Sequence, residues 1–127
     1  NPQAIPVSVV VRPKAIISTS PLALVFYATR PISGPFAPVP SQQFTLQNTG
    51  PTGSVLEYLI QKLVGLSDWL AAYTPVSGTL AASATQAITV VVQPPEGTLT
   101  GTYTETLRIS GYSENAYQDV EVTLIVV

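Results

Sequence analysis

The acidic side chains are the best candidates for acid–base or metal chemistry in this 127-residue sequence, because the chain has no histidine and no cysteine. The seven acidic residues are Glu57, Asp68, Glu96, Glu105, Glu114, Asp119 and Glu121. A glycosidase needs two carboxyl groups that face each other across a cleft, and a calcium site needs clustered carboxylates. Only Asp119 and Glu121 lie within three residues of each other, and on a strand both would project from the outer face. We therefore expect solvated strand and turn carboxylates, with no catalytic residue, no metal and no cofactor.

Two tyrosines offer a second kind of chemistry, the stacking of an aromatic ring on a sugar. Tyr112 and Tyr117 flank the residues 113–115, which are predicted to form a hairpin turn. Such a pair is more often a cross-strand aromatic contact, and Trp69 is expected in the core rather than on a binding surface. Tyr112 and Tyr117 are therefore a secondary candidate for glycan contact.

The charge composition argues against several kinds of partner. The five basic residues are scattered along the sequence, so we expect no nucleic-acid binding. No run of 18 apolar residues occurs, so we expect no membrane span. Charged residues make up 9% of the chain and the net charge is −2, whereas an average soluble domain has about 25% charged residues. Two interpretations fit: a small β-domain with Ser/Thr-rich faces, or a chain whose surface is covered by other copies, neighbouring domains or glycans.

Short runs rich in β-branched and aromatic residues, separated by twelve prolines and eight glycines, predict an all-β chain. The predicted strands are residues 4–11, 15–18, 22–28, 42–48, 54–64, 67–73, 85–93, 101–110 and 117–127. Residues 30–41 contain four prolines and are predicted to form a loop. If residues 15–28 count as one broken strand, about seven strands form an immunoglobulin-like two-sheet sandwich, with residues 4–11 as an extra N-terminal strand.

Residues 54–64 are ambiguous, because a helix would place Leu56, Leu59, Ile60 and Leu63 on one face. The all-β context favours a strand. Alternation and turn spacing elsewhere predict a buried set: Trp69, Ile88, Val90, Tyr103, Leu107, Ile109, Val122 and Leu124. Tyr103 also stands near the start of the penultimate strand, where a tyrosine often ties a corner of such sandwiches.

The second half of the chain resembles bacterial BACON-like and related immunoglobulin-like surface domains. The resemblance is carried by the pair Trp69-Leu70 and by residues 74–82 (TPVSGTLAA), 88–92 (ITVVV) and 101–104 (GTYT). A looser resemblance covers residues 18–28 and 42–50, so that it extends over residues 15–127, and the sequence departs from the pattern at 30–41 and 54–64. Such domains serve as spacers, adhesive modules or proposed carbohydrate binders, so the resemblance implies a fold rather than one function. It offers no catalytic residues.

The beginning of the sequence repeats its end. Residues 3–11 (QAIPVSVVV) align without a gap with residues 118–126 (QDVEVTLIV), with identity at three positions. The sequence therefore divides into residues 1–14, an extra strand with a short linker, and residues 15–127, the sandwich. Chance is the simplest explanation of the match, because Val-rich alternation is common in strands.

Three roles for the extra strand are open. It could add to the edge of its own sandwich, belong to a preceding domain, or be donated to a neighbouring copy. The linker Arg12-Pro13-Lys14 is a poor tight hairpin, and Pro13 favours an extended chain before it. A donated strand would gain main-chain hydrogen bonds and bury its alternate side chains. Those side chains are Ile5, Val7, Val9 and Val11.

The sequence thus predicts an extracellular or cell-surface structural subunit, not an enzyme. It would polymerise head to tail into a filament by donating its N-terminal strand to a neighbouring copy. Its partner would be a second copy of itself, with surface glycans as a further partner. The alternative is a BACON-like carbohydrate-binding or spacer module of a larger cell-surface protein.

Overall fold

The chain forms an immunoglobulin-like sandwich of two β-sheets in the computed structural model, which describes residues 13–65 and 67–127. The strands are β1 (Ile17–Ser20), β2 (Ala23–Ala28), β3 (Gln42–Asn48), β4 (Val55–Lys62), β5 (Leu70–Thr74), β6 (Ser77–Ala81), β7 (Thr85–Val92), β8 (Gly101–Ser110) and β9 (Tyr117–Val126). One sheet has the order β1-β3-β7-β5 and the other β2-β9-β8-β4-β6. The described residues contain no helix, and the predicted all-β sandwich is confirmed.

Strand β4 shows how burial decides between helix and strand. Leu56, Tyr58 and Ile60 are buried, while Glu57 and Leu59 between them are exposed. This period of two belongs to a strand with one face on the core. The helical alternative would have placed Leu59 beside Leu56 on the buried side.

Most of the predicted core is buried. Trp69, Ile88, Val90, Leu107, Ile109, Val122 and Leu124 are each at most 5% exposed. The burial of Tyr103 was predicted wrongly, because this side chain is only partly buried against the core. Its hydroxyl donates a hydrogen bond of 2.7 Å to the carbonyl of Leu99 at the surface. Tyr103 therefore ties the corner before β8, as expected, but from the rim of the core.

Three details of the strands differ from the prediction. Residues 15–28 divide into β1 and β2, which lie in different sheets. The region after Trp69 gives two strands rather than one, because the chain leaves β5 at Thr74 and pairs again as β6 with β4. Strand β5 also begins later than predicted, since Leu70 closes a turn by donating its N–H to the carbonyl of Ser67.

The last strand closes the core. Strand β9 pairs with β8 in antiparallel orientation along all ten of its residues. On its other side it pairs in parallel with all six residues of β2. Its inward side chains, Val120, Val122, Leu124 and Val126, are at most 2% exposed. The body formed by the described residues therefore supplies its own closing strand.

Glu105 contradicts the prediction that the acidic residues are solvated. Its side chain is 1% exposed, and its carboxylate accepts hydrogen bonds from the amides of Val64, Gly65 and Thr106 and from the hydroxyl of Ser67. These bonds are 2.7–3.1 Å long. The carboxylate thereby holds the loop after β4 against β8. The signal was present in the sequence, because Glu105 is in phase with the buried Leu107 and Ile109.

Two opposing effects act on the pKa of Glu105. Burial raises the pKa, because it disfavours the charged form. The hydrogen bonds from Ser67, Gly65, Val64 and Thr106 stabilise that form, and together they leave the pKa of Glu105 below its usual value. A carboxyl group whose pKa is lowered on folding stabilises the fold above its unfolded pKa, which is about 4.3 for Glu. This contribution is lost as the pH falls through the lowered pKa.

We predict that Glu105→Gln destabilises the protein by about 1–3 kcal/mol at pH 7, because an amide cannot accept all four bonds and brings a competing donor. The difference from wild type should shrink as the pH falls through the lowered pKa, because Glu105 itself is then protonated. Urea denaturation at pH 7 and at a series of more acidic pH values measures both effects. Glu57→Gln, an exposed glutamate on β4, is the matched control. Equal stability of the Glu105→Gln variant and wild type at pH 7 would contradict this role.

Candidate assembly surfaces

The chain that follows the predicted donor strand enters the sandwich at one end. Its four key residues, Ile5, Val7, Val9 and Val11, lie outside the described residues, so their role stays a prediction. The chain can be followed from Pro13. Ala15 is fully buried and forms a parallel bridge with Ser113, and its carbonyl accepts a 2.9 Å hydrogen bond from the amide of Glu114. The base of the N-terminal segment is therefore fixed against the turn between β8 and β9.

A buried asparagine organises this end of the sandwich. The Oδ1 atom of Asn48 accepts hydrogen bonds from the amides of Ile16 (3.2 Å) and Gly50 (2.9 Å). Its Nδ2 atom donates to Ser54 Oγ and to the carbonyl of Leu80, both at 3.2 Å. Asn48 thus uses both ends of its amide to join the residue before β1, strand β6 and the turn after β3. A side chain at position 50 would not fit, since a Cβ on Gly50 would lie 2.8 Å from Ala15 Cα and 2.9 Å from Asn48 Oδ1.

A second asparagine covers the outer edge of β1. The amide of Ile17 donates to Asn115 Oδ1 at 3.1 Å, and Asn115 Nδ2 donates to the carbonyl of Ile17 at 2.8 Å. These are the two bonds that a neighbouring strand would make with Ile17. The Asn115 side chain therefore takes the place of a strand at this edge.

Val127 lies at the opposite end of the sandwich. Strand β9 starts beside the β8–β9 turn and runs for ten residues, a length of about 33 Å at the usual rise per residue. There Val127 donates to the carbonyl of Ala28 and accepts from the amide of Arg30. Ala15 and Val127 therefore lie at opposite ends of one body.

The end near Val127 carries an exposed apolar surface. Its members, which we call the apolar end surface, are Tyr27, Ile32, Leu63, Val64, Leu99 and Val127, each more than half exposed. Exposed apolar residues are ordinary when they are isolated, and a surface that gathers several of them is a candidate for interaction. Two shallow clefts lie at the same end. One, of about 240 Å³, is lined by residues 30–34, 96 and 97. The other, of about 320 Å³, is lined by residues 64, 67, 69 and 102–104.

The two tyrosines proposed for glycan contact are both close to half exposed. The guanidinium of Arg108 lies 3.8 Å from the ring centre of Tyr117, and Lys14 Nζ lies 5.5 Å from that of Tyr112. A cation over an aromatic face is a favourable contact, and here it covers one face of each ring. Arg108 also makes a two-pronged ion pair with Asp119, at 2.9 and 3.0 Å. The glycan contact stays a prediction.

Residues 13–65 and 67–127 bring together no group of three or more acidic side chains that could hold a metal ion. The same part of the chain contains no helix long and apolar enough to cross a membrane. Neither cleft brings two carboxylates together, since Glu96 is the one acidic residue that lines either of them.

No protein-family model and no curated protein matches this sequence. Among solved structures, the chain is similar to the E. coli chaperone DraB, with 11% identity, a TM-score of 0.58, and coverage of 88% of this chain and 54% of DraB. It is also similar to the periplasmic chaperone SfaE, with 7% identity, a TM-score of 0.58, and coverage of 87% and 56%. A protein of unknown function from Porphyromonas gingivalis W83 matches with 21% identity, a TM-score of 0.57, and coverage of 87% and 47%. The chain thus spans about half the length of each of these three structures, and at these identities the likeness concerns the fold alone.

We predict that Asn115→Ala loosens the base of the N-terminal segment, because the N–H and C=O of Ile17 lose both partners. The loss should be about 1–2 kcal/mol, the scale of two net hydrogen bonds near the surface. Hydrogen exchange of the Ile17 amide and urea denaturation measure it. Glu114→Ala, an exposed residue of the same turn, is the control. Unchanged exchange at Ile17 would show that Asn115 does not cover this edge.

Proposed function

We propose that this chain is an extracellular structural subunit that assembles head to tail, and that residues 4–11 add as a strand to a neighbouring copy. The observation that carries the proposal is the position of β9. Residues 3–11 resemble this strand, but β9 already pairs on both sides with strands of its own body. The N-terminal segment therefore has no equivalent place in the body from which it extends.

The geometry of the two ends supports head-to-tail assembly. The described chain begins at one end, beside Ala15 and Asn115, and the apolar end surface lies around Val127 at the other. Copies stacked in one direction would bring each segment towards the apolar end of the next copy. Such a contact is heterologous and gives an open filament unless it closes into a ring. The low charge of the chain also agrees with a body that other copies cover.

The closed core determines how a strand would be accepted. A neighbouring copy has the same filled β9 position, so an incoming strand finds no vacant place between its β2 and β8. The strand must join an outer edge. Ile5, Val7, Val9 and Val11 would then pack along the open side of the sandwich rather than within a groove between strands.

The extracellular location is part of the proposal. One of the structures with this fold is a periplasmic chaperone, and small sandwiches of this kind are common among cell-surface domains. The absence of cysteine argues neither for nor against an extracellular location, because a domain with a core of this size does not need disulfides.

A second candidate is a BACON-like spacer or carbohydrate-binding module of a larger cell-surface protein. The likeness of residues 3–11 to β9 favours it, because a preceding unit of the same polypeptide could use them as its closing strand. Tyr112 and Tyr117 would then be the residues to test against glycans. Neither candidate involves catalysis.

We predict that Val7→Asp in the full chain weakens self-association at least about tenfold. A buried valine contributes about 1.5–3 kcal/mol, a carboxylate in its place must be desolvated, and 1.4 kcal/mol corresponds to a factor of ten. Ser8→Asp adds the same charge on the opposite face of the strand and should have a much smaller effect. Sedimentation velocity over a concentration series compares both variants with wild type.

A full-length protein that stays monomeric at high concentration would overturn the proposal, as would equal effects of the two substitutions. Monomeric protein together with a specific glycan-binding signal lost in Tyr117→Ala would support the surface module instead. Added salt should have little effect on wild-type assembly, because the contact is apolar and main-chain in character.

A further inference from the structure

The outer edge of β2 differs from the other sheet edges among the described residues. At β1 the Asn115 side chain occupies the edge at Ile17. At β5 a bulge between Leu70 and Ala72 interrupts the register, and bulges discourage further pairing. Strand β6 has five residues and contains Gly78, which weakens a strand. Strand β2 has none of these features.

The hydrogen bonds of β2 show which of its backbone groups face outwards. The carbonyls of Leu22 and Ala28 accept bonds from the amides of Glu121 and Val127. Because backbone groups alternate along a strand, those of Ala23, Val25 and Tyr27 point away from β9. On that side the described residues supply one bond, from Gln42 Nε2 to the carbonyl of Val25 at 2.6 Å, and it is exposed to solvent.

The side chains of this edge are unusual for a strand that faces water. Strand β2 reads ALVFYA and contains no charge and no proline. Natural edge strands are commonly guarded by lysine, proline or bulges, because an open edge invites pairing with another chain. Here Leu22, Val25 and Tyr27 are exposed instead, and Tyr27 belongs to the apolar end surface.

We infer that the outer edge of β2 is the surface that accepts residues 4–11 of a second copy. The inference rests on the proposed function, and it names the acceptor. The eight-residue segment is long enough to cover the six residues of β2, and residues 1–11 carry no charged side chain. It resembles β9, the strand that β2 already pairs with on its other side.

The position of the edge favours a strand from another copy over the chain's own segment. Ala15 is fixed beside Ser113 at one end of the body, while the open edge extends to Tyr27 near the other end. The segment of the same chain would have to reverse at Arg12-Pro13, which lacks the residues of a tight hairpin. A segment arriving from a stacked copy reaches this edge without such a reversal.

The chain lacks cysteine, so a disulfide between two single-cysteine variants can form only between copies. We would mix isotope-labelled Ser8→Cys protein with unlabelled Tyr27→Cys protein, oxidise the mixture and identify mixed dimers by mass. Ser8 is predicted to face outwards on its strand, and Tyr27 is exposed on β2. The control replaces Tyr27→Cys with Thr79→Cys, an exposed residue on β6 at the other edge of the same sheet. Mixed dimers should exceed those of the control severalfold, and equal yields would overturn the inference.

A second experiment places a charge at the proposed acceptor edge. Tyr27→Lys in the full chain should weaken self-association at least about tenfold, whereas Thr79→Lys should leave it unchanged, with the thermal unfolding of both variants as a check of the fold. If Val7→Asp disrupts assembly but Tyr27→Lys does not, β2 is not the acceptor and the proposed function stands. If Val7→Asp has no effect, the proposed function fails, and the inference fails with it.

Discussion

The pairing of β9 on both of its sides is the constraint on which the rest of this structure depends. Ten residues of β9 pair with β8 and six pair with β2, and its four inward side chains are buried in the core. Strand β1 lies in the other sheet, so the chain crosses between the sheets after β1 and β2 can then pair with β9. Because the last strand fills the closing position, the sandwich is complete without residues 3–11. A segment of similar sequence is thereby left for the partner that we propose.

Polar side chains take the place of missing backbone partners at both ends of the sandwich. Asn48 and Asn115 bond to the backbone around Ile16 and Ile17, and the Glu105 carboxylate holds the loop after β4. Each of these groups is well bonded, which is the condition for keeping polar atoms out of water. Residues 13–65 and 67–127 supply no comparable cover along most of the β2 edge, and this contrast favours the β2 edge as the surface for a partner.

Alternation in the sequence was enough to predict most of the strands and most of the core. For β4 the sequence also allowed a helix, with Leu56 and Ile60 on one face. The strand was favoured only because the rest of the chain is all-β. The burial of Glu105 was missed because a charged residue was expected to face water, although Glu105 alternates in step with the buried Leu107. The role of Asn115 could not be predicted, since it depends on contact with Ile17, 98 residues away. The open edge of β2 follows from the strand order, which the sequence did not specify.

The central claim is that the N-terminal segment pairs with another copy, and hydrogen exchange on the full chain tests it most directly. Exchange of the amides of residues 4–11 and of Val25 and Tyr27 would be followed by mass spectrometry over a range of protein concentrations. The account predicts that protection in both regions rises together with concentration, because an intermolecular ladder protects them. Protection of residues 4–11 that does not depend on concentration would show pairing within one chain and would contradict the account.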